Sequence, residues 1–560
     1  MSENRPPAPP EPSIGQTDQL FPALTDSQLA RVANHGRRRQ VDAGEVLVEA
    51  GDPNVPCFVV ISGQLDIFQR EGGDEHRVAN PGPGQFTGEA NMITGRRALF
   101  EIRAREAGEV VQLERAEVSA LVQLDPEVGG ILMRAFILRR VNLVTTGTGD
   151  AVLLGSPHSP GTLRAREFLN RNGHPYTYID VDRNPDVEVL LQRFHVAVTD
   201  IPVLVCRGER VLKNPSNQEI AECLGFNDAI DRVHVRDLIV IGAGPAGLAA
   251  AVYGASEGLD VLVLESLSPG GQAGSSSRIE NYLGFPMGIS GQELAGRAYI
   301  QAQKFGAQIL IAGSATDLLC SRKPYAIRTD AGSVVSARSI VIATGAQYRK
   351  PALEDLSRFE GAGVYYGATP MEAQICAGEA VIVVGGGNSA GQAAVFLAET
   401  CTHVHMLVRS SSLSETMSRY LIRRIEDNPN ITLHIQTELV TLEGNNPLAS
   451  VIWRNNESGI TEHHDIRHVF LMTGAIPNTS WLDGCLAMDT KRFIKTGPDL
   501  SKDELVTARW PLPRDPHLLE TSLPGVFAVG DVRSGSVKRV ASAVGEGSVA
   551  ISFVHRVLHE

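Results

Sequence analysis

The sequence holds no Cys-x-x-Cys pair. Its seven cysteines, Cys57, Cys206, Cys223, Cys320, Cys376, Cys401 and Cys485, lie far apart. Neither a local redox dithiol nor a compact metal site is therefore encoded. The odd count and wide spacing predict reduced, mostly buried thiols. A cationic surplus is also missing: 51 Lys and Arg stand against 64 Asp and Glu, a net charge of -13. That excludes the clustered basic face of a nucleic-acid binder. No apolar run approaches the roughly 18 residues of a spanning helix, so no membrane partner is expected. Met1 to Gln16 is rich in proline and lacks the apolar stretch of a signal peptide. We expect a disordered leader over 1–19 and a cytoplasmic protein.

What the chain does have is length and ordinary composition. Its 560 residues predict three or four domains with cores of their own. Over 20–148, short apolar runs at Val46–Val48, Phe58–Ile61 and Gln64–Phe68 are split by glycines, and a helical stretch follows at Val128–Leu143. That pattern predicts a small β-barrel. Over 149–230 strands and helices alternate: Ala151–Leu154, Thr162–Asn172, Tyr176–Asp180, Val187–Phe194, Val203–Cys206, Asn217–Leu224. This is an α/β unit.

The rest contains two strand-turn-helix units with glycine signatures. In the first, Gly242, Gly244 and Gly247 form G-x-G-x-x-G, with Pro245 and Ala246 between. The first glycine permits the tight turn, the second lets backbone approach a pyrophosphate, and the third lets helix and strand pack closely. Free amides at the helix start face the phosphate charge. The next strand, Val261–Leu264, ends in Glu265, a carboxylate placed to accept ribose hydroxyls. The second unit repeats the logic with Gly385, Gly387, Asn388, Ser389 and Ala390. Its following strand ends in Arg409, which cannot accept a ribose hydroxyl proton but pairs with a 2′-phosphate. NADPH is favoured over NADH. Arg419, Arg423 and Arg424 follow, either adding charge there or forming a solvated basic face.

Motifs along His234–Glu560 resemble those of the low-molecular-weight thioredoxin reductases and their flavin-dependent relatives, in the class II pyridine nucleotide-disulfide oxidoreductase family. They are Gly270-Gly271-Gln272, Ile279–Phe285, Ala343–Ala346, Gly525–Val532 and Lys538–Gly547. The resemblance implies two Rossmann-like domains. An FAD domain over 234–355 and 472–560 would be split by an NADPH domain over 356–471. It also implies that Gly271, Gln272, Asn281, Thr344, Gly345, Gly530, Asp531, Arg539 and Val540 line the FAD, and we expect a homodimer. Val540 stands where the family usually has Gln.

The family's dithiol position in the NADPH domain reads Tyr366-Gly367-Ala368-Thr369-Pro370, with both cysteines replaced. Cys376 is the nearest thiol; it is either a displaced thiol centre or a buried core residue. The middle unit resembles thioredoxin and glutaredoxin folds, which implies a cis proline at Pro202. Its dithiol position reads Ser156-Pro157-His158-Ser159, so a redox-inactive spacer or docking module is expected. The barrel resembles cyclic-nucleotide-binding domains in Ala43–Gly51 and Gly84–Glu89. That implies a phosphate cassette of Gly88, Glu89 and Arg97 for a cyclic nucleotide effector. The expected function is hydride transfer from NADPH to FAD. The acceptor is a redox partner protein or a small electron acceptor, reduced directly by flavin or through a partner's dithiol. A redox-sensing flavoprotein without turnover, and a disulfide reductase using an unusual thiol, remain the alternatives.

Overall fold

A computed structural model gives the fold. It describes residues 19–560 apart from 54, 72–73, 89–91, 93–95, 147–150, 158, 184–199, 207–209, 277, 446 and 483. The chain divides into two units. One comprises Met1–Ser156, Ala165–Asp231 and Ile300–Ala312; the other comprises Pro157–Arg164, Arg232–Tyr299 and Gly313–Glu560.

The first unit opens with helix α1 (Asp26–Ala33), started by a capping box between Thr25 and Gln28. Strands β1 (Arg37–Val41), β2 (Val46–Val48), β3 (Cys57–Glu71), β4 (Asp74–Ala79) and β5 (Glu101–Leu113) form an antiparallel sheet in the order β1-β5-β3-β4, with β2 on β5. The two apolar runs read around Gly63 are one strand. The register shifts around Gly63, whose φ is +81°, and the strand continues past the irregularity. The start of β3 is buried on both faces: Cys57 and Val59 join one core, Phe58 and Val60 the other. Helices α2 (Arg115–Leu124) and α3 (Pro126–Thr146) close the barrel module.

The α/β unit follows with β6 (Ala151–Gly155), α4 (Pro160–Arg171), β7 (Thr177–Asp180), β8 (Val203–Cys206), β9 (Arg210–Lys213) and α5 (Asn217–Leu224). Its sheet order is β7-β6-β8-β9, with β6 parallel to β7 and antiparallel to β8. The Ile201–Pro202 bond is cis, as expected. The helix expected at Val187–Phe194 lies outside the described residues.

The second part carries the paired dinucleotide folds. Elements β10 (Val235–Ile241), α6 (Pro245–Ser256), β11 (Val261–Glu265), α7 (Gly291–Lys304), β12 (Gln308–Ile311), β13 (Ala315–Leu319), β14 (Tyr325–Thr329) and β15 (Val334–Ile342) come first. Strand β16 (Ala346–Tyr348) leads out to an inserted domain of β17 (Val364–Tyr365), α8 (Pro370–Ile375), β18 (Ala380–Val384), α9 (Asn388–Leu397), β19 (His403–Val408), α10 (Arg419–Glu426) and β20 (Ile431–Ile435). A meander of β21 (Thr437–Gly444), β22 (Leu448–Asn455) and β23 (Thr461–His464) precedes β24 (Val469–Leu471). Strand β25 (Ala475–Pro477) leads back and pairs antiparallel with β16, so the outgoing and returning chains form one ribbon. β26 (Val526–Ala528) and the long α11 (Val540–His559) end the chain. The first sheet runs β11-β10-β15-β14-β13, with β26 on β15; the inserted sheet runs β17-β24-β18-β19-β20. Among the described residues no helix is long and apolar enough to cross a membrane.

The cysteines correct one expectation. Four of the seven are paired, Cys206 with Cys223 and Cys320 with Cys485, while Cys57, Cys376 and Cys401 are free and buried. The fold brings the pairs to Cα separations of 6.5 and 6.1 Å, within bridging range. Sequence spacings of 17 and 165 residues carry no sign of that closeness.

Candidate dinucleotide sites

β10, β15 and β26 are parallel neighbours, so their C-terminal ends lie side by side. Gly242 follows the first, Thr344 the second and Gly530 the third. Ligands of open α/β sheets bind beyond such ends. Each glycine of the turn has its own cause. Gly242 has φ +100°, a left-handed conformation that disfavours a side chain. A Cβ on Gly247 would sit 1.8 Å from the Gly242 carbonyl oxygen, because helix and turn are in direct contact. Gly244 is different. Its φ is −70°, and a Cβ there would meet nothing nearer than the Gly271 Cα at 3.9 Å. Nothing in the chain requires glycine at 244; the space beside it leaves the α6 N-terminus open to close approach from outside.

The surrounding residues brace this cradle. Pro245 opens α6. Glu265, 6% exposed, accepts hydrogen bonds from the amides of Ala243 (2.7 Å), Leu267 (2.8 Å) and Ser268 (3.1 Å). The carboxylate is thereby fixed against the glycine turn. Thr344 and Asn478 exchange two hydrogen bonds of 2.9 Å, and the Gln272 amide donates to the Ala346 carbonyl. Gly345 and Gly271 turn with φ +64° and +54°. The Gly530 amide donates to Glu546 at 2.6 Å. Burial raises the Asp531 carboxyl above its ordinary value, partly offset by Lys538. Arg539 caps α11 just before Val540, and both Arg539 and Asn281 are exposed. Asn478 and Glu546 join Thr344 and Gly530 here; Glu546 lies within the Lys538–Gly547 motif, but the sequence singles out neither residue by itself. Glu546 stands beside Gly547, where a Cβ would press on the Ala246 carbonyl and part α11 from α6.

The inserted sheet repeats the geometry. Gly385 has φ +144° and faces the Met472 carbonyl at the end of β24, while Ala390 is fully buried in the place of Gly247. Gly387, like Gly244, has open space where its Cβ would be. Asn388 accepts a hydrogen bond from the Ser418 amide at 2.9 Å, and Ser389 is exposed beside it. Arg409 emerges exposed from the end of β19. Arg424 is not a free basic group: it pairs with Glu280 at 3.1 Å, and the Tyr420 hydroxyl donates to the same carboxylate. Both arrangements can hold a dinucleotide on backbone amides.

Behind Arg409 the strand carries imidazoles. His405 Nδ1 lies 3.1 Å from His434 Nε2, with His403 and His464 beside them and Trp453 and Glu462 facing from β22 and β23. Burial, then the neighbouring rings, pushes His405 down to about 4, and His434 is lowered by burial. The folded state therefore favours neutral rings while the unfolded chain takes up protons below about 6.5. Stability should fall as pH drops from about 6.5 towards 4, by about 1 kcal/mol after allowing for solvent screening. Melting curves at pH 7 and pH 5 check this; in H405F the difference should shrink.

The other expected residues are more scattered. Gly88 has φ +100° and its carbonyl accepts from Arg139 at 2.6 Å, but Glu89 lies outside the described residues. Arg97 is exposed and packs on Gly225. Its neighbour Arg96 is the buried one, donating to the Asn172 carbonyl at 2.9 Å and lying over the Phe226 ring. Ser156 donates to Asp182 at 2.7 Å; His158 lies outside the described residues.

Comparison with known proteins follows the same division. Residues 236–547 match the family described as pyridine nucleotide-disulphide oxidoreductase, and 38–125 match the cyclic nucleotide-binding domain. The chain is 33% identical over 314 residues to a thioredoxin reductase of Treponema pallidum, covering 56% of this chain and 94% of that one. It is 30% identical over 335 residues to the NADPH-dependent thioredoxin reductase 3 of Arabidopsis thaliana, covering 58% of each. Among solved structures, the Lactococcus lactis thioredoxin reductase in its FR conformation aligns with a TM-score of 0.52 at 26% identity, over 58% of this chain and all of that one.

Proposed function

The chain belongs to the pyridine nucleotide-disulphide oxidoreductase family, and from that premise we propose that it moves hydride from NADPH to FAD and delivers the electrons without a Cys-x-x-Cys of its own. It is an FAD-dependent NAD(P)H oxidoreductase, and FAD and NADPH are its cofactors. The observation that carries the finer reading is the pair Gly367 and Pro370, which open the approach to α8 where the family's dithiol is expected. Disulfide exchange needs a thiolate, and neither residue supplies one. Cys376, at the end of α8, is fully buried with its sulfur 3.6 Å from that of Cys401. The Cys401 hydrogen bond and burial push the Cys376 thiol up, which keeps it protonated and inert.

In this reading the amides of Gly244, Ala246 and Gly247 at the α6 N-terminus hold the pyrophosphate of FAD and Glu265 orients its ribose. Thr344, Gly345, Gly530, Asp531 and the α11 N-terminus at Arg539 and Val540 border the rest, with Gly271, Gln272 and Asn281 along it. The amides after Gly385 and Gly387 hold NADPH, with Asn388, Ser389 and Ala390 shaping the turn and Arg409 on the 2′-phosphate. When bound, the flavin accepts a hydride and passes electrons on. The acceptor is a small molecule or a partner protein with its own dithiol. The same reading includes a homodimer, a cyclic nucleotide acting on the barrel through Gly88, Glu89 and Arg97, and residence in the cytoplasm.

Anaerobic mixing of the purified holoenzyme with NADPH tests it. Flavin absorbance should bleach within seconds, while added thioredoxin and a disulfide dye should give no turnover above background. Flavin left oxidised for minutes, or steady dye reduction through thioredoxin, would each overturn the corresponding half.

A further inference from the structure

Among the seven cysteines, accessibility singles out one pair. Cys57, Cys376 and Cys401 are buried, and Cys206 and Cys223 are 2% and 6% exposed. Cys320 and Cys485 are the two that are partly exposed. Cys320 follows β13 at the end of its strand, and Cys485 follows the short turn Ser480–Leu482 on the returning chain. Their disulfide spans 165 positions and so bridges the two halves of the split sheet domain around the whole insertion.

The returning chain meets the outgoing one close by: β25 pairs with β16, Asn478 is tied to Thr344, and the Asn478 amide donates to the Gly345 carbonyl at 3.1 Å. Thr344 stands at the C-terminal end of β15, on the rim of the first cradle. The disulfide adds a covalent tie to the segment that supports that rim.

We propose that Cys320–Cys485 is a thiol–disulfide exchange site, opened by an external thiol and coupled to retention of the dinucleotide in the first cradle. An incoming thiolate attacks one sulfur of the pair. The S–S bond breaks, a mixed disulfide forms, and the released cysteine thiolate takes up a proton. A second thiol then attacks the mixed disulfide, which leaves the chain with two thiols and the reductant as a disulfide. Two electrons pass from the reductant to the cysteines. The reductant is either a small monothiol such as glutathione or a protein dithiol of thioredoxin type. The exchange site rests on the placement of the cysteines alone, while its coupling rests on the reading that the first cradle holds FAD.

The test uses native holoenzyme exposed to reduced glutathione or to reduced thioredoxin, quenched with a maleimide and weighed intact. Without reductant no label is expected. With either reductant two labels should appear, mapped to Cys320 and Cys485, at a rate at least about tenfold above that of the buried pair; the faster reductant names the partner class. Reduced protein should melt several degrees lower and lose FAD faster on gel filtration. C320S/C485S should behave as the reduced protein whether or not reductant is present. Labelling without reductant, labelling on Cys206 and Cys223 alone, or no label after hours with both reductants would overturn the exchange site. Unchanged FAD release after labelling would overturn the coupling. Peptide mapping of the wild type keeps the test decisive even where the double variant folds poorly.

Discussion

Gly247→Ala should yield protein almost devoid of FAD. The added methyl would stand 1.8 Å from the Gly242 carbonyl oxygen and 2.9 Å from its carbon. Both are backbone atoms of the turn itself, so no side chain can swing away. Nor can α6 back off as a body. On its other side it meets α11 at Gly547, where even one Cβ would collide with the Ala246 carbonyl. The substitution must therefore distort the turn. Overpacking of this kind costs about 1–3 kcal/mol or more. Charged to the turn, 3 kcal/mol weakens binding by more than about a hundredfold. The flavin-to-protein absorbance ratio after gel filtration measures this directly. Gly244→Ala is the sharper companion. Its methyl meets no protein atom closer than 3.9 Å, so the apoprotein should fold and melt like the wild type. Only the ligand should feel the change, with FAD binding weakened at least about tenfold by loss of close backbone approach. A Gly244→Ala protein that keeps stoichiometric FAD would refute the cradle as described.

The same contrast explains what sequence could reveal. Local chemistry was legible. Helix Asn217–Leu224 appears with the bounds read for it, because Ser216 and Glu219 form a capping box and Gly225, at φ +64°, ends it. The two glycine turns, the strands of the second sheet inserted between β16 and β25, and the strand that follows Pro202 were legible for similar reasons. Long-range pairing was not. The spacing of Cys320 and Cys485 says nothing, because the insertion and the β16–β25 ribbon decide where they meet. Asn478 has no visible contact to make until β16 and β25 pair and bring it to Thr344. Arg424 reads as one more cation on a basic helix, yet its position opposite Glu280 commits it to an ion pair. In the barrel, adjacent arginines look alike, while the fold buries Arg96 and exposes Arg97.

That sorting of arginines sets up the second large effect. Arg409→Ala should raise the KM for NADPH about 10- to 100-fold and leave kcat nearly unchanged. Arg409 is the first residue beyond β19, and the chain behind it is anchored: the Ser410 carbonyl accepts the Gln436 amide at 3.0 Å. The guanidinium is thus presented from a fixed backbone into solvent at the strand end where the ribose belongs. A charge-assisted hydrogen bond contributes about 1.5–3 kcal/mol, and each 1.4 kcal/mol is a factor of ten in affinity. Because the 2′-phosphate is remote from the nicotinamide, the loss falls on binding in ground and transition states alike, which moves KM rather than kcat. NADH lacks that phosphate, so its KM should stay within about twofold, and the preference between the two cofactors should narrow by the same factor. Arg424→Ala removes an equal charge from the same domain, but one already held by Glu280 across a half-exposed pair. It should change the KM for NADPH by less than about threefold. Equal losses in the two variants would mean that general positive potential, rather than contact at Arg409, selects the phosphorylated cofactor.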